Sequence, residues 1–223
     1  MIKKYVIIVA GGRGIRMGNE VPKQFLELQG VPILMHSINR FHLYDSRINI
    51  IVVLPVFQIE FWVKLCVEFN FTIPHTIVEG GDQRFFSVRN GLDAVTEINS
   101  VVAIHDGVRP LVSVDTIDRC FNVAISKGNA VPSVGVVDSF RVKTQNGTEI
   151  IDRYDLCLIQ TPQTFQTKIL KKAYNQSWNS SFTDDATVLE TIGYTINLVE
   201  GNAENIKITS PNDLKFAEFL LLK

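Results

Sequence analysis

The chain of 223 residues is long enough for one substantial core but short of a clear two-domain length, so one domain over 1–223 is expected, with room for an excursion. Lys and Arg number 22 against 23 Asp and Glu, which excludes the strong net field that would draw nucleic acid or an anionic membrane, and neither is expected as a partner. Cys66, Cys120 and Cys157 are odd in number, far apart and in no CxxC pattern; this excludes a disulfide framework and a zinc site and reads as buried thiols in a reducing compartment.

In chain order, "MIKKYVIIVAGG" opens with an apolar run about half the length of a signal-peptide core, and it breaks into glycines and arginines. With no run of about 18 apolar residues elsewhere, a cytoplasmic chain is expected. Short β-branched runs recur at "YVIIVA", "INIIVVLP", "HTIVEGG", "VVAIHD" and "NAVPSVGVV", as in strands covered on both faces. Between them the period becomes helical. One stripe carries Leu34, Ile38 and Phe41, a second Phe61, Leu65 and Phe69, a third Ile117, Phe121 and Ala124. Strand alternating with helix predicts an α/β fold on a mostly parallel sheet.

From about 137 to 152 the alternation is two-fold on both sides of "QNG", which predicts an antiparallel hairpin with a type I′ turn, an arm reaching to about 156. So polar a pair of strands is marginal by itself and is expected to lean on something, such as another subunit. The chain then shows helix signals at "TPQTFQTKILKKAY", at "DDATVLETIG" after a cap at Thr183, and at "SPNDLKFAEFLLLK" after Ser210 and Pro211.

The loop "AGGRGIRMG" invites an anion. Gly12, Gly14 and Gly18 do not spell the dinucleotide fingerprint, and no acidic strand end about 20 residues on serves a ribose. The lysine and hydroxyl of a Walker loop are also missing. What remains is a glycine turn whose amides approach phosphate oxygens, with Arg13, Arg16 and Lys23 as cations around it. The plainer alternative is a tight strand-to-helix turn with solvated arginines; Pro22 argues against it by stiffening the approach to Lys23.

"GGDQRFFSVRNGL" ends a strand in Gly80 and Gly81 and brings Arg84 and Ser87 into a helix, with backbone free to meet a flat base; the plainer reading is a helix start capped by Asp82. "VVAIHDGVRP" ends a buried strand at His105 and Asp106, where open α/β sheets bind ligands, and a carboxylate there suits Mg²⁺ with phosphate oxygens. Asp106 as a turn cap is the alternative, and His105 reads as structural. Lys207, alternating with core-facing Ile206 and Ile208 in "NIKIT", is otherwise plain surface. In "TDDATVLE" the paired acids Asp184 and Asp185 read as a favourable helix start rather than as catalysts.

These segments together resemble the sugar-phosphate and alditol-phosphate cytidylyltransferases. "GGDQRFFSVRNGL", "HDGVRP", "DRYDLCLIQTPQTF", "TDDATVLE" and "NIKITSPNDL" resemble the 2-C-methyl-D-erythritol 4-phosphate cytidylyltransferase family over nearly the whole chain. Gly11, giving AGG where AAG is usual, and Val108 resemble instead the ribitol-5-phosphate enzymes of the same superfamily. The resemblance implies a Rossmann-like nucleotidyltransferase fold, a homodimer joined through the hairpin arm, Mg²⁺ as cofactor, and CTP and methylerythritol 4-phosphate as substrates. It implies that Ala10, Gly11, Gly12, Gly14, Gly81, Asp82, Arg84 and Ser87 bind the nucleotide, and that Arg16, Lys23, Arg153 and Lys207 carry the catalysis. Asp106, Arg109, Ser139 and Thr161 would bind the acceptor substrate, and Asp106 the metal. A module that keeps the fold without turnover is the reading from another class; Arg16, Lys23, Asp106 and Lys207 together speak against it.

Overall fold

The computed structural model describes residues 2–11 and 21–222. Arg13, Arg16, Gly12, Gly14 and Gly18 lie outside the described residues.

β1 (Lys3–Val9) runs first, followed by a 3-10 turn at Lys23–Phe25 and a small hairpin of β2 (Glu27–Leu28) and β3 (Val31–Pro32). Its two turn residues, Gln29 and Gly30, both take positive φ (54° and 73°), the type I′ geometry that suits a two-residue loop. Then come α1 (Ile33–Tyr44), β4 (Asn49–Leu54), α2 (Val56–Glu68), β5 (Thr76–Glu79), α3 (Arg84–Asp93) and β6 (Ser100–Asp106). α4 (Val114–Lys127) leads to β7 (Asn129–Gly135), and the arm of β8 (Phe140–Thr144) and β9 (Gly147–Ile151) follows. β10 (Cys157–Ile159), β11 (Gln163–Gln166), α5 (Thr167–Tyr174), α6 (Asp185–Glu190), β12 (Leu198–Glu200) and α7 (Pro211–Leu221) complete the chain.

The central sheet runs β7-β11-β6-β1-β4-β5, with β10 and β12 also paired to β7. β5, β4, β1 and β6 are parallel neighbours, and β11 is antiparallel to both β6 and β7. β1 shows why such strands read as unbroken apolar runs: Val6, Ile7 and Ile8 are all 0% exposed, because both faces are covered. Val6 and Ile8 pack with Leu34, Ile38 and Phe41 of α1, Trp62 and Leu65 of α2, and Ile117 and Phe121 of α4. Tyr5 and Ile7 face the other way, onto Phe85 and Val88 of α3, Leu170 of α5 and Leu189 of α6. Helices therefore sandwich the sheet, and burying each large side chain contributes roughly 1.5–3 kcal/mol.

Several elements differ from their sequence patterns. On α2 the buried stripe is Gln58, Trp62 and Leu65; Phe61 is 40% exposed, and Phe69 caps the helix. β5 is an edge strand, half-exposed rather than covered. In "TPQTFQTKILKKAY" the helix begins only at Thr167, because Gln163–Gln166 extends to fill the gap between β6 and β7. The arm forms, but its loop is Gln145 and Asn146, and the positive φ (139°) falls on Gly147, so the turn is not type I′. α6 is capped by Asp184, whose carboxylate accepts from Thr187 N, rather than by Thr183. Of the cysteines only Cys120 is buried; Cys157 is exposed. Among the described residues no helix is long and apolar enough to cross a membrane.

Candidate active site

The chain leaves β1 for β4 on one side, and from β5 returns to β6 on the other. The carboxyl ends of β1 and β6 are thus where the winding reverses, and the covering loops diverge to leave a crevice. Ala10 and Gly11 stand at one lip and Asp106 at the other, tied by Gly107 N donating to Val9 O at 2.9 Å. A Cβ on Gly107 would lie 3.0 Å from both Ala10 Cβ and Leu34 Cδ1, so glycine lets the two strand ends meet.

A cleft of about 250 Å³ opens there. Ala10, Gly11 and Lys23 line it from the β1 side, Gly81, Asp82, Arg84 and Ser87 from the start of α3, and Asp106 and Lys207 from the third side. Lys23 is set by its neighbours. Phe25 packs edge-on to Phe61 (5.3 Å) and stacks on Trp62 (6.0 Å), and Gln24 is buried, donating to Ala10 O at 2.8 Å and to Gln58 Oε1 at 2.6 Å. Lys23 is thereby turned into the cleft.

Asp106 is 8% exposed and ringed by cations: Lys207 Nζ lies 3.0 Å from Oδ2, Arg109 Nε 3.2 Å from the same oxygen, and Arg84 Nε 4.0 Å from Oδ1. Burial by itself would raise this carboxyl, but Lys207, Arg84 and Arg109 outweigh it and hold the group well below the usual carboxylate range. Asp106 is an anion at any physiological pH. Lys207 reaches it from an extended segment that joins no strand ladder; Ile208 is buried, and its N–H donates to Val108 O at 2.9 Å.

Behind Asp106 the polar groups are spent on each other. His105 Nε2 donates to Arg109 O at 3.1 Å, so Nδ1 accepts from the Thr161 hydroxyl at 3.0 Å, and Thr161 Oγ1 accepts from Asp106 N at 3.1 Å. Burial pushes the His105 imidazole down to about 4, against the pull of Asp106, so it is neutral. Thr161 and Arg109 do not line the cleft among the described residues; Arg109 instead braces Asp106 and Asn205 O (2.8 Å).

At the start of α3, Gly81 N donates to Ser87 Oγ at 3.1 Å, and a side chain on Gly81 would collide with Phe86 Cβ. The helix is capped at Gln83 rather than Asp82, without a side-chain bond, which leaves Asp82 in the cleft wall. Arg84 forks onto Asp185, with Nη1 to Oδ1 at 2.9 Å and Nη2 to Oδ2 at 2.6 Å. Ser139 and Arg153 sit exposed at the base of the arm, away from the cleft lining; Arg153 donates to Val137 O at 2.9 Å. Sequence reasoning missed Gln24 and Gln83 in the lining, although Gln24 stands directly after the chosen lysine. It also passed over Asp185 as a ligand of Arg84, since no sequence pattern links positions 101 residues apart.

The chain matches the family model described as 2-C-methyl-D-erythritol 4-phosphate cytidylyltransferase over residues 4–223. It is 51% identical over 215 residues to the protein of that name from Bacteroides fragilis, covering 96% of this chain and 98% of that protein. The Bacteroides thetaiotaomicron protein of the same name is 47% identical over 220 residues, covering 99% and 100%. Among solved structures, the 4-diphosphocytidyl-2C-methyl-D-erythritol synthase of Anaerococcus prevotii superposes with a TM-score of 0.84 at 24% identity, over 100% of this chain and 97% of that one, and so speaks for the fold. The Thermus thermophilus 2-C-methyl-D-erythritol 4-phosphate cytidylyltransferase gives 0.79 at 30% identity with both chains fully covered. These names set aside the ribitol reading of Gly11 and Val108. A methyl group on Gly11 would meet no described atom within 4 Å.

Proposed function

The chain belongs to the 2-C-methyl-D-erythritol 4-phosphate cytidylyltransferase family and transfers the cytidylyl group of CTP to methylerythritol 4-phosphate, releasing pyrophosphate and 4-diphosphocytidyl-2-C-methyl-D-erythritol; on that premise we propose how its residues perform the reaction. The acceptor phosphate is already an anion at neutral pH and attacks the α-phosphorus in line, so no general base is needed. The barrier is charge: two anions must meet while negative charge grows on the equatorial and leaving oxygens. Fixed cations address both, and removing one donor of this kind typically costs about 3 to 4 kcal/mol of transition-state stabilisation.

Lys23 and Lys207 hold the phosphates of CTP and stabilise the developing charge, with Arg16 assigned the same task. Backbone at Gly81 and the wall of Asp82, Arg84 and Ser87 receive the cytidine. The observation that carries this reading is that Lys23, Asp106, Lys207 and the Gly81 turn, scattered through the sequence, face one cleft.

Asp106 suits a divalent ion. It is kept ionised, among the described residues the approach to its Oδ1 is the Arg84 Nε ion pair at 4.0 Å, and Mg²⁺ needs only one or two carboxylates beside substrate phosphates and water. Mg²⁺ bound through Asp106 would supply charge neutralisation at the phosphates. Arg109 acts through Asp106 or on the acceptor phosphate, and Thr161 serves the acceptor side by fixing Asp106.

The protein works as one cytoplasmic domain, paired as a homodimer through the arm. Among the described residues β8 and β9 pair only with each other, and the arm exposes Val137, Phe140, Val142 and Ile150, which a second copy would cover. Ser139 and Arg153, absent from the lining of their own cleft among the described residues, then serve the acceptor in the partner's. Lys23→Ala tests the assignment: turnover should fall about 100-fold or more while the affinity for methylerythritol 4-phosphate is kept. Near-normal turnover removes Lys23 from the mechanism.

A further inference from the structure

Arg84 opens α3 and lines the cleft with its side chain 30% exposed, yet both terminal nitrogens are committed to the rear, onto Asp185. Asp185 is 0% exposed. Its Oδ1 also accepts from the Tyr174 hydroxyl at 2.6 Å, and Tyr174 is in turn fixed by stacking on Phe85 at 4.7 Å. The start of α6 is pinned to β11, since Gln163 Oε1 accepts from Ala186 N and Gln163 Nε2 donates to Asp184 Oδ2, both at 2.8 Å. Three helices and a strand thus converge to hold one carboxylate behind one guanidinium.

A buried ion pair is weak as a source of stability, because desolvation offsets most of the attraction. What a bidentate fork does supply is direction. Arg84 has a second carboxylate in reach, with its Nε 4.0 Å from Asp106 Oδ1. Released from Asp185, the guanidinium would close on Asp106 and take both groups out of the cleft wall.

We propose that Asp185, backed by Tyr174, is a positioning residue for cytidylyl transfer: it draws the Arg84 fork rearward, so that Arg84 meets the nucleotide in a fixed orientation and Asp106 stays available. This rests on the reading of Arg84 as a nucleotide contact.

The test is calorimetric titration with CTP, alongside steady-state kinetics and melting curves, on Asp185→Asn, Tyr174→Phe, Arg84→Ala and the Arg84→Ala/Asp185→Asn double variant. Asp185→Asn should weaken CTP binding about tenfold and raise KM for CTP; saturating CTP draws Arg84 back off Asp106, so kcat and KM for the acceptor, measured there, stay within about threefold. Tyr174→Phe should move CTP affinity the same way by less, and in the Arg84→Ala background Asp185→Asn should add nothing further. A lowered melting temperature with unchanged CTP affinity in Asp185→Asn would overturn the proposal, as would additive effects on CTP binding in the double variant. If Arg84→Ala binds CTP like the parent, the nucleotide reading of Arg84 falls and the proposal with it. If Arg84→Ala weakens binding and Asp185→Asn does not, positioning alone is refuted. Should Asp185→Asn not fold, Tyr174→Phe decides, with reduced CTP affinity supporting the proposal and unchanged affinity refuting it.

Discussion

His105 and Asp106 are adjacent, yet the structure sends them in opposite electrostatic directions. The imidazole is buried against Phe41 with both nitrogens engaged, and stays neutral; the carboxylate has three cations around it, and stays charged. For stability the sign follows from His105 being depressed to about 4 in the folded chain against an ordinary value near 6.5. Between those values the unfolded chain binds the extra proton, so stability is fully present above about pH 6.5 and is lost as pH falls toward 4. The loss should approach about 3 kcal/mol, visible as a falling urea midpoint between pH 7 and pH 4 that is flatter in His105→Gln. An equally steep profile in the variant would assign the loss to other groups. The place of Asp106 was legible in the sequence because it ends a continuous apolar run, and His105, read there as structural, has both ring nitrogens engaged. The Arg84–Asp185 fork was not legible: the acid looked like a helix start, which it also is, and only the fold brings α3 and α6 together.

At the scale of elements, periodicity worked where burial is one-sided and failed where tertiary demand overrode it. The stripes of α1 and α4 bury Leu34, Ile38, Phe41, Ile117, Phe121 and Ala124. On α2 the apolar residues fall on more than one face, so several stripes compete, and the large indole of Trp62 takes the core while Phe61 is left to edge onto Phe25. β11 escaped because it is only four residues long and Gln163, Thr164 and Gln166 surround Phe165 without an apolar run; it extends because two strands beside it need partners. The α7 start was legible to the residue. Ser210 accepts from Asp213 N at 3.3 Å, Asp213 Oδ2 accepts from Ser210 N at 2.8 Å, and Pro211 follows the cap. Ser210→Ala should cost about 1 kcal/mol, read as a lower urea midpoint with an unchanged slope. No shift would mean that the helix is held by packing alone. α7 lies against the Ile208 cluster beside Lys207, so the same variant should also modestly raise KM for CTP.

For the whole molecule, winding order decides where chemistry can happen. β1 between β4 and β6 creates the crevice, and residues from the ends of β1 and β6, from the head of α3 and from the segment before α7 converge on it without being near in sequence. The strand-helix alternation made an α/β sheet legible, and motif resemblance supplied the rest; the sequence could not reveal that Thr161 and Arg109 turn inward to brace Asp106. The proposed dimer makes its own prediction. Mixing Arg153→Ala with Lys23→Ala subunits should restore part of the activity that each homodimer lacks, since one of the two clefts then keeps both groups; absence of restoration would count against a shared site. In the proposed mechanism gathered cations, rather than a base, lower the barrier. The deciding measurement is the single-turnover rate of pyrophosphate release in Lys207→Ala, at saturating CTP and methylerythritol 4-phosphate. A fall of about 100-fold or more is predicted, with the rate independent of pH near neutrality; a rate within twofold of the parent would mean that the cations do not lower the barrier.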